Sequence, residues 1–383
     1  MNSFIPLSVP NLKGNELKYV TDAIESEWVS TAGRYVAEFE EKIAEYVNAK
    51  GAVSCQNGTS GLHISLLLAG ITMDDAVFVP TLTFIAAVNP VKYIGASPIF
   101  MDCDDSLCMD PIKLEQYCRE ECVIEAGKLI DKVTHKHIKA IVIVHVFGNM
   151  ADMVAIMEIA TKYHLKVVED ATEAIGSYYI SGRYVGKYAG TIGDFGVYSF
   201  NGNKIMTTGG GGMIISNDEN CLKKAKHLTT QAKSDEVNFL HDEIGYNYRM
   251  TNIQAAIGLA QLEQLEGFIQ TKEDNYLMYK SLFKNSRYKL LDVRNDIRSN
   301  RWFYALFCDD IKTRDGIIKY LSKKQIQTRP IWGLIHQQIP YVSEKAYRIE
   351  KAILYWERIV NIPCSTNLGI EEVERIVEQI LNY

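Results

Sequence analysis

The order of apolar and polar residues predicts strands and helices that alternate through the first two thirds of the chain. Residues 35–47 carry apolar side chains at helical spacing and predict an amphipathic helix. The segment 138–144 is apolar and rich in β-branched residues, as is typical of a buried strand. Strands separated by helices predict a mostly parallel sheet covered on both faces. Shorter apolar runs predict further strands at 51–55, 76–79, 97–101, 166–168 and 196–200.

The pattern changes after residue 250. Thr251 is a predicted N-cap for one long helix from Asn252 towards Leu282. Beyond it, two strand-like and three helix-like segments predict a small α+β domain. The sequence therefore predicts a large α/β domain over residues 1–254 and a small C-terminal α+β domain over residues 255–383.

Composition excludes several classes of protein. The chain of 383 residues has 41 Lys and Arg against 47 Asp and Glu, without the basic stripe of a nucleic-acid-binding protein. Its densest apolar run, residues 138–147, is too short to cross a bilayer, and the first residues do not resemble a signal peptide. We expect a cytoplasmic protein that binds neither membrane nor nucleic acid. The eight cysteines contain no Cys-x-x-Cys pair, and we expect free thiols and no metal site.

Two residues that follow predicted strands are candidates for chemistry. Asp170 ends an apolar strand, and ligands of open α/β sheets bind beyond the carboxyl ends of strands, although such an Asp also commonly caps a helix. Lys204 lies in a turn rich in Asn and Gly, shortly before Gly209–Gly212. A lone lysine is usually a solvated surface residue, but consecutive glycines let a ligand approach the backbone closely. The lysine precedes the glycines, which excludes a Walker A loop.

A third candidate is the start of the helix after residue 57. Gly58, Thr59 and Ser60 would offer free N–H groups and hydroxyls to an anion, or would merely begin a capped helix. Phe84 follows another strand, where an aromatic ring either packs in the core or stacks on a planar ligand.

Together these residues supply what pyridoxal phosphate needs. Its aldehyde requires an amine, for which Lys204 is available, and its ring nitrogen requires a carboxylate, for which Asp170 is available. The phosphate requires a helix N-terminus and hydroxyls, and Ser199 adds one to those of Thr59 and Ser60. The ring requires a flat neighbour such as Phe84.

Several motifs in one order then resemble the DegT/DnrJ/EryC1/StrS family of pyridoxal-phosphate sugar aminotransferases, along nearly the whole chain. The resemblance implies fold type I, the architecture of aspartate aminotransferase, with a mostly parallel central sheet and a smaller C-terminal domain. The motifs are Asn57–Leu62, Pro80–Phe84, Glu169–Ala174, Ser199–Lys204 and Gly245–Ala256.

The resemblance also implies roles. Lys204 matches the lysine that bonds to the cofactor and shuttles protons, and Asp170 matches the partner of the ring nitrogen. Glu173 stands where the family places Gln, His or Glu near the 3-hydroxyl of the cofactor. Asn247 matches a residue with which a neighbouring subunit contacts the phosphate of the cofactor. This match implies a homodimer with shared active sites. Gly58, Thr59, Ser60, Ser199 and Phe84 match the remaining cofactor contacts.

Within the family, the chain resembles the aminotransferases of bacillosamine and legionaminic acid synthesis. These act on a UDP-linked 2-acetamido-4-keto-6-deoxyhexose at C4, with L-glutamate as donor, in the synthesis of bacterial surface glycans. The resemblance rests on the segments 200–204, 328–332 and 361–364. Trp28, Arg329 and His336 are candidate substrate residues, and Arg329 could equally be a paired surface residue.

Three other functions are alternatives to a UDP-sugar 4-aminotransferase. One is a 3-aminotransferase of a dTDP-linked keto-deoxy sugar. Another is a pyridoxamine-dependent dehydratase, but that class has His at the position of Lys204. The last is a regulatory or ligand-binding protein without turnover, which would be expected to lose at least one of the lysine, the aspartate and the phosphate loop.

Overall fold

The computed structural model describes residues 3–383. Its order of elements confirms the predicted alternation. The helices are α1 (Glu16–Glu25), α2 (Arg34–Tyr46), α3 (Gly58–Leu68), α4 (Asn89–Tyr93), α5 (Pro111–Glu120), α6 (Met153–Tyr163), α7 (Glu219–Thr229), α8 (Asn252–Leu262), α9 (Leu265–Leu282), α10 (Ile311–Lys323), α11 (Lys351–Arg358) and α12 (Ile370–Leu381).

The strands alternate with these helices, and most of the longer ones are almost completely buried. They are β1 (Gly51–Cys55), β2 (Asp75–Pro80), β3 (Ser97–Met101), β4 (Cys122–Glu125), β5 (Lys128–Asp131), β6 (His137–Val144), β7 (Lys166–Asp170), β8 (Tyr178–Tyr179), β9 (Phe195–Ser199), β10 (Gly212–Ser216), β11 (Lys233–Asp235), β12 (Leu240–His241), β13 (Lys289–Leu290), β14 (Ile297–Arg298), β15 (Tyr304–Phe307), β16 (Arg329–Pro330), β17 (Lys345–Tyr347) and β18 (Ile359–Ile362).

The central sheet has the order β1-β10-β9-β7-β6-β2-β3-β17 and is mostly parallel, as predicted. All neighbours from β9 to β17 in this order pair in parallel, and β10 runs against both of its neighbours. Beside this order, β5 pairs antiparallel with β6 and with β4. The carboxyl ends of β1, β2, β6, β7 and β9 therefore meet at one edge of the sheet. This edge is where an open α/β sheet binds its ligands.

The predicted long helix after Thr251 is two helices, α8 and α9. Thr251 caps α8 as expected, with its hydroxyl accepting from the Gln254 N–H. The helical hydrogen bonds are interrupted at the two residues between the helices, where the Gln264 N–H donates to the Gln261 carbonyl three residues back. The Gln264 side chain instead donates to Glu16, which holds α1 against this bend.

The division at residues 254 and 255 stays a prediction, and contacts cross it in both directions. A separate apolar core gathers residues from Tyr276 to Ile380, but it also includes Ile5 from the N-terminal segment. In return, β17 adds a parallel strand to the large sheet beside β3. Among residues 3–383, none of the helices combines the length and apolarity needed to cross a lipid bilayer.

Asp102 fastens the N-terminus of α11, which follows β17, to the large sheet. Its carboxylate is completely buried at the end of β3 and accepts the amide N–H groups of Glu350, Lys351 and Ala352 at 2.8–3.0 Å. Lys113 donates to the same carboxylate at 2.6 Å. Burial alone would raise the pKa of Asp102, but the ammonium and the three amides together lower it below its ordinary value.

We predict that Asp102→Asn lowers the free energy of unfolding by about 3 kcal/mol. The change removes the negative partner of the buried Lys113 ammonium, and it places a side-chain NH₂ group, which is a donor, among backbone N–H groups that need an acceptor. Urea unfolding followed by circular dichroism measures this. Since the folded pKa is lowered, the contribution of Asp102 is present at neutral pH and is lost as the pH falls through that folded pKa. Asp105→Asn is the control, because its exposed pair with Lys351 should contribute less than about 1 kcal/mol. Equal losses from both variants would contradict the assignment.

Candidate active site

A cavity of about 520 Å³ lies at the carboxyl edge of the large sheet, between it and the C-terminal segments. It brings together residues far apart in the sequence, and seven of the nine residues predicted for catalysis and cofactor binding line it. These are Gly58, Thr59, Phe84, Asp170, Glu173, Ser199 and Lys204. Arg329, a predicted substrate residue, lines it as well.

Lys204 stands on the turn that follows β9. Its Nζ lies 4.0 Å from Glu173 Oε1 and 4.0 Å from the ring centroid of Trp302. The side chain is only 13% exposed, and burial lowers the pKa of the amine, while the nearby carboxylates of Glu173 and Asp170 oppose that shift. A lysine with a lowered pKa is a nucleophile and a base at neutral pH.

Asp170 ends β7, as predicted, and its carboxylate is buried. Its recorded side-chain hydrogen bond comes from the Thr172 N–H at 3.1 Å. Burial raises the pKa of Asp170, and the hydrogen bonds of Thr172 and the charge of Lys204 act in the opposite direction. A buried carboxylate with so few donors suits a ligand that presents a positively charged N–H, such as a protonated pyridine ring.

Glu169, next to Asp170, is held by a different set of contacts. Its carboxylate accepts the backbone N–H groups of Gly190, Ile192 and Gly193, and it pairs with His145 Nε2 at 2.8 Å. Because His145 Nδ1 accepts from Ala151 N–H, the ring hydrogen is on Nε2 and is donated to Glu169. These contacts hold the ends of β6 and β7 and thereby position Asp170.

The N-terminus of α3 forms the anion-binding side of the cavity. Asn57 caps the helix by accepting the Ser60 N–H at 2.8 Å, which leaves Gly58 and Thr59 on the cavity wall beside Ser199. A Cβ on Gly58 would lie 2.9 Å from Thr172 Cγ2, so a side chain does not fit there. A helix N-terminus with adjacent hydroxyls suits a phosphate. The donor set of the cavity thus fits pyridoxal phosphate at the phosphate, the ring nitrogen and the aldehyde.

Four predicted site residues do not line the cavity of this single chain. Ser60 is buried behind the helix cap, and Asn247 accepts hydrogen bonds from its neighbour Arg249 on the surface. Trp28 is exposed on the segment before α2. His336 is engaged at 2.6 Å with the hydroxyl of Thr81.

The wall on the C-terminal side holds residues that the sequence analysis missed. Trp302 donates its ring N–H to the carbonyl of Asn203, the residue before Lys204. Trp332, Gln327 and Asn361 complete this wall. Trp302 and Gln327 lie in strand-like segments of the sequence, where they could not be told from core or surface residues. Trp332 and Asn361 lie in the segments 328–332 and 361–364, which supported the family resemblance without being assigned to the site. Arg301, with φ 51°, breaks the predicted strand just before Trp302.

Arg329 and Asn361 are paired neighbours in β16 and β18, and Gln327 lies two residues before Arg329 on the same face. Arg329 is exposed and lacks a recorded salt bridge or hydrogen bond within the described residues. Asn361 is 3% exposed, and its Oδ1 is buried without a partner in the part of the chain described. Gln327 Oε1 already accepts the Leu7 N–H at 3.0 Å. The C-terminal side therefore offers an unneutralised guanidinium and the unpaired Oδ1 of Asn361 to a polar ligand.

Outside the cavity, the described residues contain one group with the spacing of metal ligands, His227, Asp242 and Glu243, on the surface. His227 Nε2 already pairs with Asp242 at 2.8 Å and with Glu243 at 3.2 Å.

Comparisons with known proteins identify relatives along the whole chain. A profile described as the DegT/DnrJ/EryC1/StrS aminotransferase family matches residues 10–381. A GDP-perosamine synthase of Escherichia coli O157:H7 is 39% identical over 99% of this chain and 98% of its own. A dTDP-3-amino-3,6-dideoxy-alpha-D-galactopyranose transaminase of Aneurinibacillus thermoaerophilus is 32% identical over 94% of this chain and 93% of its own.

Solved structures show the same fold. A DegT DnrJ EryC1 StrS aminotransferase from Brucella abortus superimposes with a TM-score of 0.86 at 27% identity, covering 96% of this chain and 94% of its own. The PLP form of a protein named "Putative sugar aminotransferase Spr1654", from Streptococcus pneumoniae, gives a TM-score of 0.89 at 24% identity over 99% of this chain and 98% of its own.

We predict that Gly58→Ala weakens binding of pyridoxal phosphate by tenfold or more, about 1.4 kcal/mol, because the new Cβ displaces Thr172 or Ser199 from the anion-binding wall. Fluorescence titration of the cofactor-free protein measures the dissociation constant. Gly202→Ala is the matched control, since it lies in the turn before Lys204 and its Cβ would meet nothing within 4 Å. An unchanged dissociation constant in Gly58→Ala would show that the phosphate does not bind at the N-terminus of α3.

Proposed function

Because this chain belongs to the DegT/DnrJ/EryC1/StrS aminotransferase family, we propose that it moves an amino group from L-glutamate to C4 of a GDP-linked 4-keto-6-deoxyhexose. It is a pyridoxal-phosphate-dependent sugar aminotransferase. One observation carries the proposal. The Lys204 amine and the Asp170 carboxylate line the same cavity as the N-terminus of α3, which can bind a phosphate.

The nucleotide is proposed from the relatives. Three of them, 34% to 39% identical over nearly the full chain, bear the name GDP-perosamine synthase, which denotes 4-amination of a GDP-sugar. The motif resemblance described above instead favours a UDP-linked 2-acetamido-4-keto-6-deoxyhexose, which is therefore the first alternative substrate. Amination at C3 of a dTDP-sugar is the second, supported by the relative from Aneurinibacillus thermoaerophilus.

The chemistry divides between the cofactor and the chain. When bound, pyridoxal phosphate supplies an aldehyde that bonds to amines and a ring that withdraws electrons. The chain supplies the proton transfers: Lys204 Nζ takes the proton from Cα of the amino donor, and Asp170 holds a proton on the ring nitrogen. Gly58, Thr59 and Ser199 would hold the phosphate.

The C-terminal wall orients the substrates. Trp302 and Trp332 exclude water from the side of the cavity that faces Lys204, where water would compete with amines for a carbonyl carbon. Arg329 is the proposed contact for a carboxylate of glutamate or for the nucleotide diphosphate, because its guanidinium is free to form a bidentate pair. Trp28 and His336 stay proposed contacts of the sugar nucleotide. A cytoplasmic location and a role in bacterial surface glycan synthesis belong to the same proposal.

A homodimer with shared sites is also proposed. The surface segment before Asn247 exposes a group of large apolar side chains, with Val237 at 85%, Phe239 at 71% and Ile244 at 83%. Water rarely covers so many adjacent apolar residues in a monomer, and a second copy of the chain would bury them. Asn247, at the end of this segment, would then reach the phosphate site of the partner.

The substrate experiment uses purified protein loaded with pyridoxal phosphate, L-glutamate, and a panel of keto sugars linked to GDP, UDP or dTDP. We expect 2-oxoglutarate to form in step with a 4-amino GDP-sugar, identified by mass spectrometry and NMR, with at least tenfold lower rates for the other sugars. Lys204→Ala should lose turnover by a factor of about 1,000 or more, because Lys204 is the one lysine among the described residues that line the cavity. A faster reaction with a UDP- or dTDP-linked sugar would show that the proposed GDP-linked substrate is wrong and that the faster sugar is the substrate. The visible absorption spectrum of the protein with pyridoxal phosphate should show a band that Lys204→Ala lacks, because the lysine bonds to the aldehyde. Absence of that band from the parent protein would overturn the aminotransferase function.

The shared-site dimer predicts complementation between two inactive variants. Lys204→Ala and Asn247→Asp impair different residues of one site, so half of the mixed dimers' sites contain neither change. Mixing equal amounts after reversible dissociation should restore about one quarter of the parental activity. Each variant incubated alone under the same conditions is the control. If the mixture is as inactive as its components, Asn247 acts within its own subunit or not at all.

A further inference from the structure

We propose that, whenever Lys204 is not bonded to the cofactor, Glu173 and Lys204 form a neutral pair, with Glu173 as a carboxylic acid and Lys204 as an uncharged amine. Glu173 is then a hydrogen-bond donor at the site, and it stores the proton that Lys204 gives up. The mechanistic meaning of this pair rests on the proposed function.

The first argument is the number of donors around each buried carboxyl group. Glu169 accepts three backbone N–H groups and the His145 ring N–H, which together replace the hydration of a charge. Glu173 is also shielded from solvent, at 4% exposed, but within residues 3–383 its carboxyl group accepts one hydrogen bond, from the Phe147 N–H at 2.8 Å on Oε2. A charge on Glu173 would therefore be poorly solvated.

The second argument is the distance to Lys204. Its Nζ lies 4.0 Å from Glu173 Oε1, which is too long for a direct hydrogen bond. Both groups lose their hydration, and a buried ion pair offsets that loss only with close contact and additional hydrogen bonds. Proton transfer removes both charges: one N–H bond of the ammonium breaks, one O–H bond forms on Glu173, and the net charge of the pair is unchanged.

The other neighbours of Glu173 do not compensate for its charge. The charged groups that face it are Lys204 on the turn after β9 and Asp170 at the end of β7, and Asp170 repels a second negative charge. The segments 146–148 and 300–303 contribute amides and aromatic rings, because the Arg301 guanidinium turns away to pair with Glu273. The Trp302 ring would favour the ammonium form of Lys204, but one ring face replaces only part of its hydration.

The pKa shifts have the direction that this geometry requires. Burial raises the pKa of Glu173, with Lys204 and the Phe147 amide opposing it and Asp170 adding to it. Burial lowers the pKa of Lys204, against the two carboxylates. The neutral amine is the form that bonds to a carbonyl carbon, so Lys204 is ready to react without first losing a proton to solvent.

Difference infrared spectroscopy tests the pair directly, on cofactor-free protein and on protein loaded with pyridoxamine phosphate, both at neutral pH. We expect the carbonyl stretch of a neutral carboxyl group in the parent and its loss in Glu173→Gln, which keeps the shape and can still donate a hydrogen bond. Glu374→Gln is the matched control, because Glu374 is exposed on α12 and its change should leave the band unaltered.

Lys204→Ala provides a second variant that separates the two forms of the pair. If the pair is neutral, removing the amine leaves the carboxyl band of Glu173 in place. If the pair is ionic, the parent lacks the band and it appears only in Lys204→Ala, and that result overturns the inference. Neither outcome depends on turnover: a protein that transaminates without the band refutes the neutral pair alone, and a protein with the band but without transamination refutes the proposed function alone.

Discussion

The site depends on one constraint, the burial of ionisable side chains at the edge where the parallel strands end. Asp170 ends β7, Glu173 lies three residues further along the chain, and Lys204 lies on the turn after β9. All three line the same cavity. Among the described residues, one backbone amide donates to each of the two carboxyl groups, so a negative charge on either of them would be poorly solvated. An unsatisfied buried charge costs several kcal/mol, which a cationic or hydrogen-bonding ligand would offset.

Other buried carboxylates are satisfied, and these hold the fold. Asp102 is surrounded by amide N–H groups and the Lys113 ammonium and holds the N-terminus of α11 at the end of β3. Glu169 is surrounded by amides and His145 and fixes the ends of the strands under the site. The count of donors thus separates carboxylates that stabilise the fold from carboxylates left free for chemistry, even between the adjacent residues Glu169 and Asp170.

The alternation of strands and helices was predictable because it depends on local periodicity, and α2 and the cap of α8 by Thr251 agree with the prediction. The bend between α8 and α9 was not, since it depends on the contact between Gln264 and the distant Glu16. The antiparallel strand β10 also escaped prediction, because a run of glycines precedes it and its direction is fixed only by its pairing with β1 and β9.

For the site, the sequence by itself determined the chemistry that is available: an amine in a glycine-rich turn, a carboxylate after a strand, and small residues opening a helix. These signals are local, because each depends on the residues next to it in the chain. Only the tertiary structure decided that Trp302 lies against Lys204, that Glu173 is buried with one amide donor, and that Arg329 and Asn361 form the opposite wall. Burial and hydrogen-bond partners depend on chain segments that are distant in the sequence and meet only in the folded protein. Local sequence patterns therefore do not predict them.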